Sequence, residues 1–260
     1  MRPNLEGRLL RLTLNRPDKR NALNSETCRQ LVEAVEAAQN DNSTGAILID
    51  AEGTAFCSGM DLDEATQTNA VELTAIHVKL FSMGMWSRKP IVAAVQGGAY
   101  AGGMGLAANA HVVFAADDAS FGLPEIKIGM WPFVIWRSLE MAIGERRAME
   151  LSLTGRKISA QQAAAWGLVH YLCSSSMLST NSFELARTLS EASSPTLERG
   201  MNLTREARGL GMDEALALAV RLRAEQIVSP DFLEGVKASK EKRSPRWPSA
   251  GTEEYDGPSD

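Results

Sequence analysis

The sequence predicts an α/β fold with a helical C-terminal region, and three observations predict it. Through the first two thirds of the chain, short apolar runs recur, each leading into a turn of small residues and then a helix start. Beyond Ser174 the apolar positions follow a helical period and polar or glycine breaks separate successive helices. The 260 residues, 44% hydrophobic and 23% charged, suffice to bury a sizeable core.

Residues 7–14 alternate in part and read as a strand. Residues 15–21 form a polar turn with three cations, Arg16, Lys19 and Arg20, a solvated loop unless a ligand claims it. Ser25 is a candidate N-cap for a helix through about Ala38, with Leu31, Val32, Val35 and Ala38 on one stripe. Residues 45–50 are a short buried strand. Residues 53–64 make a small-residue turn that ends in a helix start, where Asp61 reads as a cap. Residues 72–86 are apolar on a helical period and predict a packing helix, with His77 as an ordinary core or surface histidine.

The organising stretch follows. Residues 90–95 are apolar and partly β-branched, a buried strand, and a glycine-rich turn at 96–105 leads into a helix of small residues. Strand, turn and helix start aim backbone N–H groups at one point and favour a negative charge there, a phosphate or an oxyanion. A close-packing turn without a ligand is the other reading. Residues 111–116 are another strand. Residues 120–132 are turn-rich and apolar around one carboxylate, Glu125. Buried among such neighbours, that group either shuttles protons with a raised pKa or pairs with a cation. Helices are expected at 134–143 and 146–153 and from a capping box at Ser159 to Trp166, then a short strand at 169–172. Further helices are expected at 183–193, 196–208, 213–228 and 230–243, and residues from Ser244 read as a loose polar tail.

The net charge of −5 argues against a nucleic-acid surface. Cys28, Cys57 and Cys173 are widely spaced and suit a reducing compartment, and neither they nor His77, His111 and His170 have metal-ligand spacing. With no signal-peptide pattern and no long apolar run, a cytoplasmic enzyme or binding protein without membrane or metal is expected.

Six motifs, in order, resemble the enoyl-CoA hydratase/isomerase (crotonase) family. They are Asn15-Arg16-Pro17 with Asn21-Ala22-Leu23, Phe56-Cys57-Ser58-Gly59-Met60-Asp61-Leu62, Lys89 through Val95, Ala101-Gly102-Gly103, Phe121-Gly122-Leu123-Pro124-Glu125-Ile126, and Leu153-Thr154-Gly155. The resemblance implies a crotonase-like spiral of ββα units over residues 1–195, a helical region at 196–243 supporting a homotrimer or homohexamer, and a tail at 244–260. It implies an acyl-CoA thioester as substrate, with coenzyme A part of the substrate and no separate cofactor. It makes the N–H groups of Met60 and Gly102 an oxyanion hole and Glu125 the acid–base residue. It also places Arg20, Ala22, Ser58, Met60, Asp61, Leu62 and Gly102 along the CoA-binding path, with Lys242 a candidate for a CoA phosphate.

The departures matter as much. Hydratases of the family carry a second glutamate where this chain has Gly105, and some relatives carry an aspartate where it has Phe133. One glutamate suffices to take a proton from one carbon and return it to another, so the resemblance implies a double-bond isomerase first. A hydratase or hydratase-like lyase using Glu125 alone is the alternative. A non-catalytic acyl-CoA-binding protein is the reading of another class. Gly103 to Ala108 also fits a relaxed dinucleotide fingerprint, but the strand before it ends early and Glu125 follows a proline in a turn. The bulky run from Trp131 to Trp136 either shapes an acyl pocket or packs a helix.

Overall fold

The computed structural model describes residues 1–67 and 69–250. The chain divides into two units, Met1–Ser190 and Glu191–Asp260.

The first unit opens with β1 (Arg2–Glu6) and β2 (Leu9–Leu14), an antiparallel hairpin turned at Gly7, whose φ is +61°. The sequence pattern shows only the second of these strands, because β1 is exposed along nearly its whole length and lacks an apolar face. α1 (Ser25–Asn40) buries Leu31, Val32, Val35 and Ala38 as the stripe predicts. Its N-cap is Asn24 rather than Ser25, since the Asn24 side chain accepts from Thr27 N at 3.0 Å. β3 (Ala46–Ala51) follows, then α2 (Leu62–Ala65), α3 (Ala70–Leu80) and α4 (Met83–Trp86). The single helix expected over 72–86 is therefore two, parted at Phe81 and Ser82.

β4 (Ile91–Val95) is wholly buried, and a short β5 (Gly98–Tyr100) leads into α5 (Gly102–Asn109). The glycines Gly102, Gly103 and Gly105 thus lie inside the first turns of α5, not before it. β6 (Val112–Ala116) and β7 (Ser120–Gly122) precede a 3-10 turn, Pro124–Ile128, and a second one, Phe133–Ile135. α6 (Trp136–Ile143), α7 (Glu145–Thr154), β8 (Lys157–Ser159), α8 (Ala160–Trp166), β9 (Tyr171–Cys173) and α9 (Ser175–Ser190) complete the unit.

Six strands form one sheet in the order β1-β2-β3-β4-β6-β9, parallel from β2 onward, and β5-β7-β8 form a second. Parallel central strands are covered on both faces, so β4 reads as an unbroken apolar run and β3 as one interrupted only at Asp50, rather than alternating. One core runs through both sheets, with Phe56, Phe121, Leu12, Ile47 and Leu80 fully enclosed.

The second unit holds α10 (Ser194–Glu206), α11 (Met212–Ile227) and α12 (Pro230–Glu241). Ser193 caps α10, accepting from Thr196 N. Residues 244–250 are not the loose tail their composition suggests. Trp247 donates its indole N–H to the Glu191 carbonyl at 2.7 Å, and buried Asp231 accepts from Ser249 N and Oγ. The remainder of the expected tail, residues 251–260, lies outside the described residues. Among the described residues, no helix is long and apolar enough to cross a membrane.

Candidate active site

Two turns from distant parts of the sequence are laced together beside α5. Cys57 bridges Ala99 in parallel: Cys57 N donates to the Gly98 carbonyl at 3.1 Å and Tyr100 N to the Cys57 carbonyl at 2.9 Å. The contact leaves no room for side chains. A Cβ on Gly59 would lie 2.7 Å from the Ala101 Cβ and 3.4 Å from Gly102 N, and one on Gly103 would lie 2.2 Å from the Cys57 carbonyl oxygen. Gly59 also has a φ of +99°, which other residues rarely adopt. These two positions are glycine because two backbones meet there.

The amides of Met60 and Gly102 flank this contact. Met60 bridges Leu23 in parallel, and the bridge is made by Leu23 N to Gly59 O and by Asp61 N to Leu23 O. Met60's own N–H therefore faces away from Leu23. Gly102 is the first residue of α5, where an N–H has no intrahelical acceptor. Ala101 sets its direction with a φ of 49° and a ψ of −121°, a conformation costly for any residue with a Cβ. Both N–H groups lie beside the paired turns, that of Gly102 at the positive end of a helix dipole.

Glu125 sits in the 3-10 turn, fixed at both ends. Pro124 sets the first position, and Gly129, at a φ of 73°, donates its N–H back to the carbonyls of Glu125 and Ile126. The Glu125 side chain is buried and its Oε2 has no hydrogen-bond partner. Among the described residues no cation pairs with it, and burial pushes its pKa up to about 7. Of the two sequence readings of this carboxylate, pairing with a cation is the one the structure does not bear out.

At Gly105 the reverse holds. A Cβ there would lie 2.4 Å from Ile135 Cγ2 and 3.2 Å from Phe81 Cδ1, so the space for a side chain is taken by hydrocarbon. Phe81 also reaches Gly102, where a Cβ would stand 2.9 Å from its Cζ and 3.2 Å from Leu23 Cδ1. Leu23, Phe81 and Ile135 are the apolar wall of the site. Sequence reasoning does not find them, because they come from three separate segments with no shared local signal. Of the bulky run at 131–136, Ile135 reaches the Gly105 position, whereas Phe133 is 75% exposed.

The remaining sequence candidates fall into two groups. Arg20, Ala22, Ser58, Met60, Asp61 and Leu62 come together where the 16–23 and 57–62 segments meet. The Arg20 carbonyl accepts from Ser58 N at 3.0 Å, and Arg16 donates to the Ala22 carbonyl at 2.6 Å and to Asp61 at 2.8 Å. Asp61 stands at the N-cap position of α2 but makes no capping bond. Its carboxylate goes to Arg16, which holds its pKa below the usual carboxylate range. Asn21, missed as an anchor, is buried and binds Glu52 O, Ala55 O and Arg16 N. Lys242 belongs to the second unit, exposed at the C-terminal end of α12.

Comparison with known proteins gives a consistent answer. A family model described as Enoyl-CoA hydratase/isomerase matches residues 5–250. A probable enoyl-CoA hydratase of Mycobacterium tuberculosis is 36% identical over 238 residues, covering 91% of this chain and 93% of that protein. A 2,3-dehydroadipyl-CoA hydratase of Escherichia coli is 34% identical over 240 residues, covering 92% and 94%. The crystal structure of an enoyl-CoA hydratase from Mycobacterium smegmatis superposes with a TM-score of 0.88 at 29% identity, over 94% of this chain and 97% of that one. The fold is thus the crotonase fold of ββα units, and the chain belongs to the enoyl-CoA hydratase/isomerase family.

Proposed function

We propose that this enzyme shifts a double bond within an enoyl-CoA. The carrying observation is at Gly105, where Ile135 and Phe81 occupy the space a second acid would need and leave Glu125 as the acid–base group. The Glu125 carboxylate takes a proton from C2 of a 3-enoyl thioester. The C2–H electron pair becomes part of a dienolate whose charge rests on the thioester oxygen, held by the Met60 and Gly102 amides. The same carboxyl returns the proton to C4, and a 2-enoyl thioester results. A pKa of about 7 suits both half-reactions, since neither protonation state dominates near neutral pH. Each amide donor contributes about 3–4 kcal/mol of barrier lowering in sites of this type.

The meeting of the 16–23 and 57–62 segments supports a path for the CoA portion along Arg20, Ala22, Ser58, Asp61 and Leu62. Lys242 is proposed as a phosphate contact. The exposed apolar residues Met212, Leu216, Val220 and Ile227 on α11 support association into a homotrimer or homohexamer, which sedimentation velocity measures.

Hydration of a 2-enoyl-CoA by Glu125 alone is the second reading, favoured by the relatives' printed names as hydratases. Purified enzyme supplied separately with 3-enoyl- and 2-enoyl-CoA esters of several lengths decides between them. Turnover of the 3-enoyl esters alone supports isomerisation, and faster loss of the 2-enoyl absorbance supports hydration. Tight binding of both without reaction supports a non-catalytic acyl-CoA-binding protein.

A further inference from the structure

The Met60 amide is reached from Arg16 through two peptide planes in series. Arg16 Nη1 donates to the Ala22 carbonyl at 2.6 Å. The Ala22 carbonyl shares its peptide plane with the Leu23 N–H, and Leu23 N donates to the Gly59 carbonyl at 2.8 Å. The Gly59 carbonyl in turn shares its plane with the Met60 N–H. Both peptides are trans, so in each the N–H points opposite to the C=O. The guanidinium, the two peptide units and the outward Met60 N–H therefore form one chain of donors that all run the same way.

The head of this chain is held firmly. Arg16 Nη2 donates to the Asp61 carboxylate at 2.8 Å, and Arg16 N donates to Asn21 Oδ1 at 2.8 Å. The buried Asn21 amide donates to the carbonyls of Glu52 and Ala55 at 2.9 and 2.8 Å. Two consecutive non-glycine residues at positive φ, Arg20 at 50° and Asn21 at 54°, bring the Ala22 carbonyl back to the guanidinium. By contrast, Lys19 and Asp63 join the same two segments through exposed side chains at 3.2 Å, a pair of little worth in water. Any neutral donor would satisfy the Ala22 carbonyl. A cation there does more, because hydrogen bonds in series polarise one another and a charged first donor strengthens those below it.

We propose that Arg16 is a positioning residue for the reaction: its charge, relayed through the Ala22–Leu23 and Gly59–Met60 peptides, fixes the direction of the Met60 N–H and strengthens it as a donor. This rests on the reading of the Met60 and Gly102 amides as the pair that holds the thioester oxygen. Gly102 opens α5 and draws on the helix dipole. Met60 lies in an extended bridge, and Arg16 supplies the positive end instead.

The test is infrared difference spectroscopy of hexanoyl-CoA isotope-labelled at its thioester carbonyl carbon. The ester is bound to the full-length protein, to Arg16→Met and to Arg16→Lys, with affinities taken from calorimetry. The unmodified protein should move the carbonyl band to lower wavenumber than in the free ester. Arg16→Met should lose about half of that displacement, one of two donors being weakened, and Arg16→Lys should recover part of it by returning a charged donor. In Arg16→Met, kcat on an enoyl-CoA ester should fall about tenfold while KM changes less than about threefold. Should Arg16→Met not fold, Arg16→Gln, which offers a neutral donor, takes its place. A role in stability alone lowers the urea midpoint and leaves the bound carbonyl where the unmodified protein holds it, which overturns the inference. Equal losses of displacement in the Met and Lys variants overturn it as well, since charge is then not what is relayed. An ester that binds the unmodified protein with its band unmoved overturns the reading of the two amides, and the inference with it. Failure of hexanoyl-CoA to bind overturns the acyl-CoA site itself.

Discussion

Beside the paired turns, two positions meet opposite fates. At Glu125 the fold buries a carboxyl and leaves one of its oxygens unpartnered. At Gly105, on the first turns of α5, it removes the side chain altogether and packs Ile135 and Phe81 into the space. Local structure explains both. The 3-10 turn between Pro124 and Gly129 pins the Glu125 backbone through the Gly129 and Met130 bonds to its carbonyl and so fixes where its side chain starts. α5 lies close to the 3-10 turn that delivers Ile135, and only a glycine fits there. The difference has a chemical consequence. One acid beside a hydrocarbon wall can carry a proton between two carbons of the same substrate. Two carboxylates orienting a water would need a second acid, and the space at Gly105 is filled by Ile135 and Phe81.

The comparison breaks most directly at its acidic end. Glu125→Gln keeps the shape and removes the proton acceptor, so kcat for double-bond migration should fall by a factor of about 10² to 10⁴ while KM changes little. Steady-state kinetics on a 3-enoyl-CoA measure it. A loss of less than tenfold would mean that another group moves the proton.

The apolar end gives the next largest effect. Gly105→Glu forces a side chain against Ile135 and brings a carboxyl into hydrocarbon, and should destabilise the protein by about 3 kcal/mol or more. Adding Ile135→Ala opens the space and should recover part of that loss, a non-additivity visible in denaturant midpoints. If the carboxyl lands where a second acid would act, the double variant should hydrate 2-enoyl-CoA faster than the parent. If Gly105→Glu alone is as stable as the parent, the wall is softer than its distances indicate.

Glu125 also predicts a pH dependence of stability. Its pKa is about 7 in the folded protein against an ordinary value of 4.5, so between these the folded state binds more protons than the unfolded state. Stability from this group is therefore full below pH 4.5 and is lost as pH rises toward 7, by about 3 kcal/mol in all. Chemical denaturation of the parent and of Glu125→Gln across that range isolates the effect: the difference between them should shrink toward acid. A parallel pair of curves means the carboxyl is solvated.

What the sequence carries of this arrangement is local. Small residues at 53–60 and 97–105 announce turns, an apolar run announces β4, and a lone acid among apolar residues announces a group whose charge is costly. The stripe of α1 and the cap at Ser159 are local in the same way: the stripe is buried and Ser159 Oγ accepts from Gln162 N, although the Gln162 side chain goes to Arg156 and does not close the box. Non-local closure is not legible. The second sheet is built from three strands of three residues each, Gly98–Tyr100, Ser120–Gly122 and Lys157–Ser159, too short to show a period. That Phe81 and Ile135 converge on Gly105 depends on α3 and the 133–135 turn meeting α5, which no window of sequence contains. His77 is the sharpest case. Its helix is correctly read as packing, yet an unsatisfied nitrogen appears only once every neighbour is in place.

The smallest effect is expected at Ala101, whose strained backbone aims the Gly102 amide. A residue with a Cβ at a φ of 49° and a ψ of −121° stores roughly 1–3 kcal/mol of strain. Ala101→Gly releases it but frees the unfolded chain by about 0.5–1 kcal/mol. It also removes a methyl that packs against Gly59, where an added Cβ would come within 2.7 Å. The net result should be a gain of about 1 kcal/mol, read as a higher denaturant midpoint at unchanged m-value. The rate should move the other way, with kcat severalfold lower, because a glycine lets the Gly102 N–H wander from the position of the developing oxyanion. Loss of stability instead would show that the methyl's packing outweighs the strain. A kcat that does not change would show that α5, rather than Ala101, sets the direction of the amide.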